Sequence, residues 1–249
     1  MKHWLIVVSM LLWSCLVQAS EVKVAAASNF AAPFKQIAER FRIKTGHTTV
    51  VTLGSTGALY AQIMNGIPYE LFLSADTDRP NILIKQGRAV AGTRQTYAIG
   101  HLVLWSNNSS FVDAHGRLLQ TRFNGRLAIA NPVTSPYGQA AQQTLEHLGQ
   151  WHNVQKGLVR GENIAQTFQF ASSGSVDVAF IALSQIKSGD LAGKGSYWLV
   201  PETLHEPIEQ QMVLLEKGKH SQAAKALMEF IASSEGRRII SAAGYGEWK

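Results

Sequence analysis

The sequence predicts an α/β protein in which parallel sheets carry helices on both faces. Short apolar β-type runs alternate with longer amphipathic stretches along the chain, the pattern of strand–helix–strand units. There is no fixed-period repeat, low-complexity tract or heptad array, and no single Pro/Gly-rich linker. Two lobes, if present, are therefore joined by strands and not by one flexible tether.

Taken in order, Val22 to Ala26 reads as a strand, and Pro33 to Thr45 as a helix with Phe34, Ile37, Ala38 and Phe41 on one face. Thr48 to Leu53 is the next strand. A helix from about Gly57 to Asn65 ends at Gly66 and Pro68, and Leu71 to Ser74 is a short buried strand. Leu102 to Ser106, Leu127 to Ala130, Leu158 to Val159 and Val178 to Ile181 are further strands, with helices near Gln139 to Leu148, Ile164 to Ser172 and Leu183 to Ser188. Met212 to Leu215 is a last strand, followed by helices over Ser221 to Ser233 and Glu235 to Ala243.

The first 19 residues have the layout of a secretory signal: Lys2, an apolar core from Trp4 to Leu16, and Val17, Gln18, Ala19 before the expected cleavage. The stretch is too short and poorly flanked for a spanning helix, so an exported, periplasmic protein is expected. Trp13 fits poorly in a lipid-anchoring box around Cys15. With Cys15 removed no cysteine remains, which excludes disulfides, thiol catalysis and Cys-based metal sites. The formal net charge of +6 mildly favours anionic partners. No run of five or six basic residues occurs, so no nucleic-acid partner is expected.

Four times a strand ends in a small, polar or glycine-bearing turn and a helix begins directly after it. The turns are Ala27–Asn29, Gly54–Gly57, Asn131–Gly138 with Pro136 and Tyr137, and Gly161–Ile164. A helix start leaves backbone N–H groups unpaired and carries the positive end of the helix dipole, which suits an anion. Ser, Thr and Asn are also simply good N-caps. Four such turns at the carboxyl edges of parallel strands point further, to the edge where open α/β sheets bind ligands.

Catalytic patterns are missing. No G-x-S-x-G, Walker loop, H-E-x-x-H or G-x-G-x-x-G occurs. His147 and His152 are five apart, the wrong interval for one helical face, and Asp76 with Asp78 reads as capping. No enzyme activity, cofactor or direct protein–metal ligand is expected. An exported enzyme using such an anion site for a phosphorylated substrate is the alternative.

Glu21 to Phe30 (EVKVAAASNF), Gly54 to Ile63 (GSTGALYAQI), Gly66 to Asp76 (GIPYELFLSAD), Tyr97 to Ser106, Asn131 to Gly138 (NPVTSPYG), Gly161 to Ile164 (GENI) and Ala242 to Tyr245 (AAGY) together resemble the periplasmic molybdate-binding proteins of ABC transporters. The resemblance runs through the whole mature chain. It implies a two-lobed type II binding-protein fold, each lobe a mostly parallel sheet flanked by helices, with two hinge crossings and the anion between the lobes. The lobes would be residues 20–98 with 207–249, and 99–206. It implies a monomer that takes molybdate or tungstate, with sulfate as the rival oxyanion, and hands it to the membrane permease subunits of an ABC importer. Carried over, Ser28 and Asn29 fall at the first contact turn and Ser55 with Thr56 at the second, while Tyr137 and Ile164 offer backbone N–H groups. Some members have a contacting tyrosine where this chain has Ala182, which suggests that Asn29 takes over that contact. No Lys or Arg stands at the contact positions.

Overall fold

Residues 19–187 and 193–248 are described by the computed structural model. The leader before Ala19 and the end of the helix expected at Ser188 lie outside them. In chain order the elements are β1 (Glu21–Ala27), α1 (Ala31–Thr45), β2 (Thr48–Gly54), α2 (Thr56–Met64), β3 (Leu71–Leu73), α3 (Asp78–Lys85), β4 (Gln95–Gly100) and β5 (Leu102–Ser106). Then come β6 (Leu127–Ala130), α4 (Pro136–His147), α5 (Trp151–Val154), β7 (Leu158–Gly161), α6 (Ile164–Ser172), β8 (Val178–Ala182) and α7 (Ser184–Lys187). The last are β9 (Ser196–Leu199), β10 (Ile208–Leu214), α8 (Gln222–Ala232) and α9 (Ser234–Ala242). Among the described residues no helix is long and apolar enough to cross a membrane.

Two five-stranded sheets form two lobes, ordered β2-β1-β3-β10-β4 and β7-β6-β8-β5-β9. In the first, β1 pairs in parallel with β2 and β3, and β10 runs against both β3 and β4. In the second, β6 pairs in parallel with β7 and β8, while β5 opposes both β8 and β9. One strand in each sheet thus runs against the other four, so the sheets are mostly parallel. Apolar residues fill both faces of each sheet, and that is why β5, β6 and β8 are buried at every position and read as continuous apolar runs.

Helix α1 shows how the pattern becomes packing. Phe34, Ile37 and Phe41 recur at helical spacing and lie buried against Val22, Val24, Leu71 and Leu73. The helix begins at Ala31, two residues before the expected Pro33, because the first turn needs no proline N–H. It stops at Gly46, whose φ of 75° carries the chain out of the helix and whose N–H closes on the Arg42 carbonyl at 2.9 Å.

Four elements were not visible in the periodicity: α3, β4, α5 and β9. Strand β10 also starts at Ile208, four residues before the expected Met212. Its polar run Glu209, Gln210, Gln211 hides the strand, and the register with β4 shifts between Gln210 and Gln211, which breaks the two-residue alternation. Ile99 and Gly100 pair with Glu209 and Ile208, and only His101 separates β4 from β5.

Candidate functional site

The four turns singled out in the sequence follow adjacent strands: β1 and β2 in the first sheet, β6 and β7 in the second. Ser28, Asn29, Ser55, Thr56, Tyr137 and Ile164 are each more than nine-tenths buried. The cleft is shut in this structure, and hydrogen bonds tie the turns together across it. Gly57 at the start of α2 donates its N–H to the Thr134 carbonyl beside the start of α4, at 2.8 Å. The Ser184 hydroxyl donates to the Asn29 carbonyl at 2.9 Å, while within the second lobe its neighbour Gln185 donates to the Ile164 carbonyl at 3.0 Å.

Capping decides which donors remain. At α2 the Ser55 hydroxyl accepts from Ala58 N–H at 3.4 Å, and Gly57 is bound to Thr134, so Thr56 N–H is left over. At α4 the Ser135 hydroxyl takes Gly138 N–H and Pro136 has no N–H to offer, which leaves Tyr137. At α6 the Asn163 carboxamide oxygen accepts from both Ala165 and Gln166, at 3.0 and 3.1 Å, which leaves Ile164. Among the described residues each of these helix starts thus leaves one N–H without a capping partner, where the helix dipole favours negative charge.

The side chains add hydroxyls. Ser28 Oγ is buried and has no partner among the described residues, a costly state for a hydroxyl and one an anion would relieve. Thr56 Oγ1 accepts from Ala75 N–H at 3.1 Å, so its own proton is free to donate outward. The Ser55 hydroxyl likewise only accepts within the cap.

Asn29 stands on the first contact turn with its side chain engaged. Its side-chain amide donates to Gln210 Oε1 at 2.8 Å and to the Tyr245 hydroxyl at 3.0 Å, so both amide hydrogens are committed. What Asn29 has left for an anion is its main-chain N–H. Ala182, where a contacting tyrosine could stand, is buried at the end of β8, and its N–H is bound to Gln185 at 2.9 Å.

Gln210 is the residue that sequence reasoning missed. It is fully buried; its Oε1 accepts from Asn29 and from the Tyr97 hydroxyl at 3.1 Å, and its Nε2 donates to the Tyr137 hydroxyl at 3.1 Å. One side chain therefore joins the first contact turn to the start of α4 in the other lobe, and the Tyr137 ring is not idle. A Cβ at Gly100 would lie 2.3 Å from the Tyr137 hydroxyl and 2.8 Å from Gln210 Nε2, so only glycine leaves room for this bond. Tyr245 closes the network, donating to the Asn29 carbonyl at 2.8 Å. Phe30 packs edge-on against the rings of Tyr97 and Tyr245. Burial pushes the hydroxyls of Tyr97, Tyr137 and Tyr245 well above the ordinary tyrosine range, so all three stay neutral donors.

No side-chain charge enters the set of six. Arg160, next to the α6 turn, is exposed. Among the described residues no group of His, Cys, Asp and Glu could hold a metal ion. Asp76 caps α3 by accepting the Arg79 N–H at 3.0 Å, as its sequence position suggests. A groove of about 910 Å³ between α1 and β2 is lined by Phe34, Ala38, Val51 and Leu53; none of the six residues borders it, and it offers no convergent donors.

Residues 22–246 match the family model described as bacterial extracellular solute-binding protein. The chain belongs to that family. Among these solute-binding proteins, the molybdate-binding protein ModA of Azotobacter vinelandii is 48% identical over 94% of this chain and 93% of its own length. ModA of Rhodobacter capsulatus is 43% identical over 91% of this chain and 88% of its own. The solved structure of the periplasmic molybdate-binding protein of Azotobacter vinelandii superimposes with a TM-score of 0.88 at 39% identity, covering 92% of this chain and all of that one. The two-lobed fold read from the sequence is that of this solute-binding protein.

Proposed function

We propose that this solute-binding protein captures molybdate or tungstate between its lobes and delivers it, as a periplasmic monomer, to the permease subunits of an ABC importer. The reading takes residues 1–19 as a leader that is removed, residues 20–98 with 207–249 as one lobe and 99–206 as the other. The pairing of β4 with β10 in the first sheet and of β5 with β8 in the second supports that division, in which Ile99 and Gly100 are read as part of one hinge crossing.

One observation carries the choice of ligand: a buried Ser28 hydroxyl with no partner among the described residues stands with the helix-start N–H groups of Thr56, Tyr137 and Ile164. Such a site holds an anion with neutral donors, and hydrogen bonds to a charged acceptor are short and strong in a water-poor cleft. Donors alone also reject anions that keep a proton, because that hydroxyl would need an acceptor. Phosphate near neutral pH carries one; molybdate, tungstate and sulfate do not. Sulfate has shorter bonds, and a rigid donor cage does not contract to reach it.

Thermal unfolding with each anion in turn tests the assignment. A ligand bound only by the folded state adds about 4 kcal/mol at a thousandfold excess over its Kd. Molybdate and tungstate should raise the melting temperature strongly, sulfate little and phosphate hardly at all. An equal rise with phosphate would rule the donor-only site out.

Salt supplies a second test. The screening length falls from about 30 Å at low salt to about 8 Å at physiological salt, and buried neutral dipoles are little affected by it. Molybdate affinity should therefore change by well under a factor of about ten over that range. A larger loss by calorimetric titration would mean that a basic side chain is a direct ligand.

A further inference from the structure

Beside the anion site, at the edge where the lobes meet, a guanidinium spans the cleft. Arg79 in the first turn of α3 is ion-paired through Nη1 with Asp76, and its Nη2 donates to the Val133 carbonyl at 3.1 Å. Asp76 is itself fixed, since one carboxylate oxygen accepts from the Ser74 hydroxyl and from the Arg79 N–H, each at 3.0 Å. Val133 lies on the opposite lobe, one residue before Thr134, whose carbonyl accepts the Gly57 N–H. Two consecutive carbonyls of the Asn131–Ser135 loop are thus gripped from the first lobe, one by a side chain and one by a helix start. The fit is tight: a Cβ on Gly57 would lie 2.9 Å from Thr134 Cα and 3.2 Å from Arg79 Nη2.

We propose that Arg79, oriented by Asp76, is a positioning residue that latches the lobes over the bound oxyanion and sets how long it stays. The proposal rests on the reading of the cleft as an oxyanion site. In this role Arg79 acts through the loop it grips, with its charge paired to Asp76 and Nη2 bonded to a carbonyl. A latch of this kind acts on departure. The anion enters an open cleft in which Arg79 and Val133 are apart, and leaves only after their bond has broken.

The same loop carries the start of α4. Holding Val133 and Thr134 therefore also holds Tyr137 N–H against the first lobe, which links the latch to the donor set. Lysine could not replace the arginine, because a single ammonium lacks the planar fork that grips a carboxylate and a carbonyl at once.

Stopped-flow measurement of molybdate association and release tests this, with interlobe distances from spin labels on cysteines placed at Ala61 and Glu146 as a readout that needs no ligand. In Arg79→Gln and Arg79→Lys, release should be about tenfold faster and association within about twofold of the parent, the pattern of a contact made after encounter. Gly57→Ala should also speed release while leaving the melting temperature of the unliganded protein unchanged or higher, since alanine is the better helix former. A general structural defect would instead lower that temperature. Unchanged release in both Arg79→Gln and Gly57→Ala would overturn the latch. Should the parent protein bind no molybdate, the ligand assignment fails and the label distances decide alone: they should shift toward the open form in Arg79→Gln, and distributions identical to the parent's would overturn the proposal.

Discussion

Replacing Ser28 by alanine is expected to weaken molybdate binding by one to two powers of ten while leaving the unliganded protein at least as stable as its parent. The hydroxyl is buried and without a partner among the described residues, so in the closed form without the anion it contributes only a desolvation cost, of about 1–3 kcal/mol for an unsatisfied group. With the anion in place it becomes a donor to a charged acceptor, which is worth about 1.5–3 kcal/mol, or roughly one to two decades of affinity. The two effects have opposite signs, which separates a binding role from a structural one. Calorimetric titration with a melting curve of the unliganded variant checks both. A lower melting temperature with unchanged affinity would place the anion elsewhere.

Gln210→Glu should be more damaging still. Glutamate has nearly the same shape, and Asn29, Tyr97 and Tyr137 can each donate to it, so the fold has the means to accept the change. What changes is the charge behind the donor set. A carboxylate and a dianion about 10 Å apart in an effective dielectric of about 20 repel by about 3 kcal/mol, or about two powers of ten in affinity. Burial raises the carboxyl above the usual glutamate range, and a bound dianion raises it further. Binding therefore takes up a proton in this variant, and affinity should recover as the pH falls through the raised value. The parent should show no such recovery. Titration from about pH 8 to about pH 6 brackets the range in which a strongly raised carboxyl titrates. An affinity equal to the parent's at the upper end would show that Gln210 is remote from the anion.

The parts of the site that lie on the strand–helix turns were legible because their signals are local. A small polar residue after an apolar run, with a helix behind it, marks Ser28, Ser55 and Thr56 whatever the rest of the chain does. Ile164 follows Asn163, a strong N-cap, in the same way. The connecting network was not legible. Gln210 sits in a run of three polar residues in β10, where a buried glutamine and an exposed one look alike until its partners at positions 29, 97 and 137 are known. The register shift after it also erases the alternation that would have marked the strand. At Asn29 the place in the turn is a local signal, but the direction of its amide is set by Gln210 and Tyr245, both about two hundred residues away in sequence. Arg79 carries no signal of its own in the sequence, since a helix-start charge three residues from an aspartate is commonplace. Only the loop from the opposite lobe gives its second nitrogen a purpose.

The neutrality of the donor set has an electrical consequence. Hydroxyl and amide groups neither gain nor lose protons when the anion arrives, and the three tyrosines behind them are held protonated far above neutral pH. The donors offset the incoming charge with dipoles and take up no proton. Loading therefore lowers the net charge of a basic protein, formally +6 for the full chain, by the whole charge of the dianion. The filled and empty forms differ as electrostatic objects as well as in shape, so any surface that meets this protein has two ways of telling one from the other.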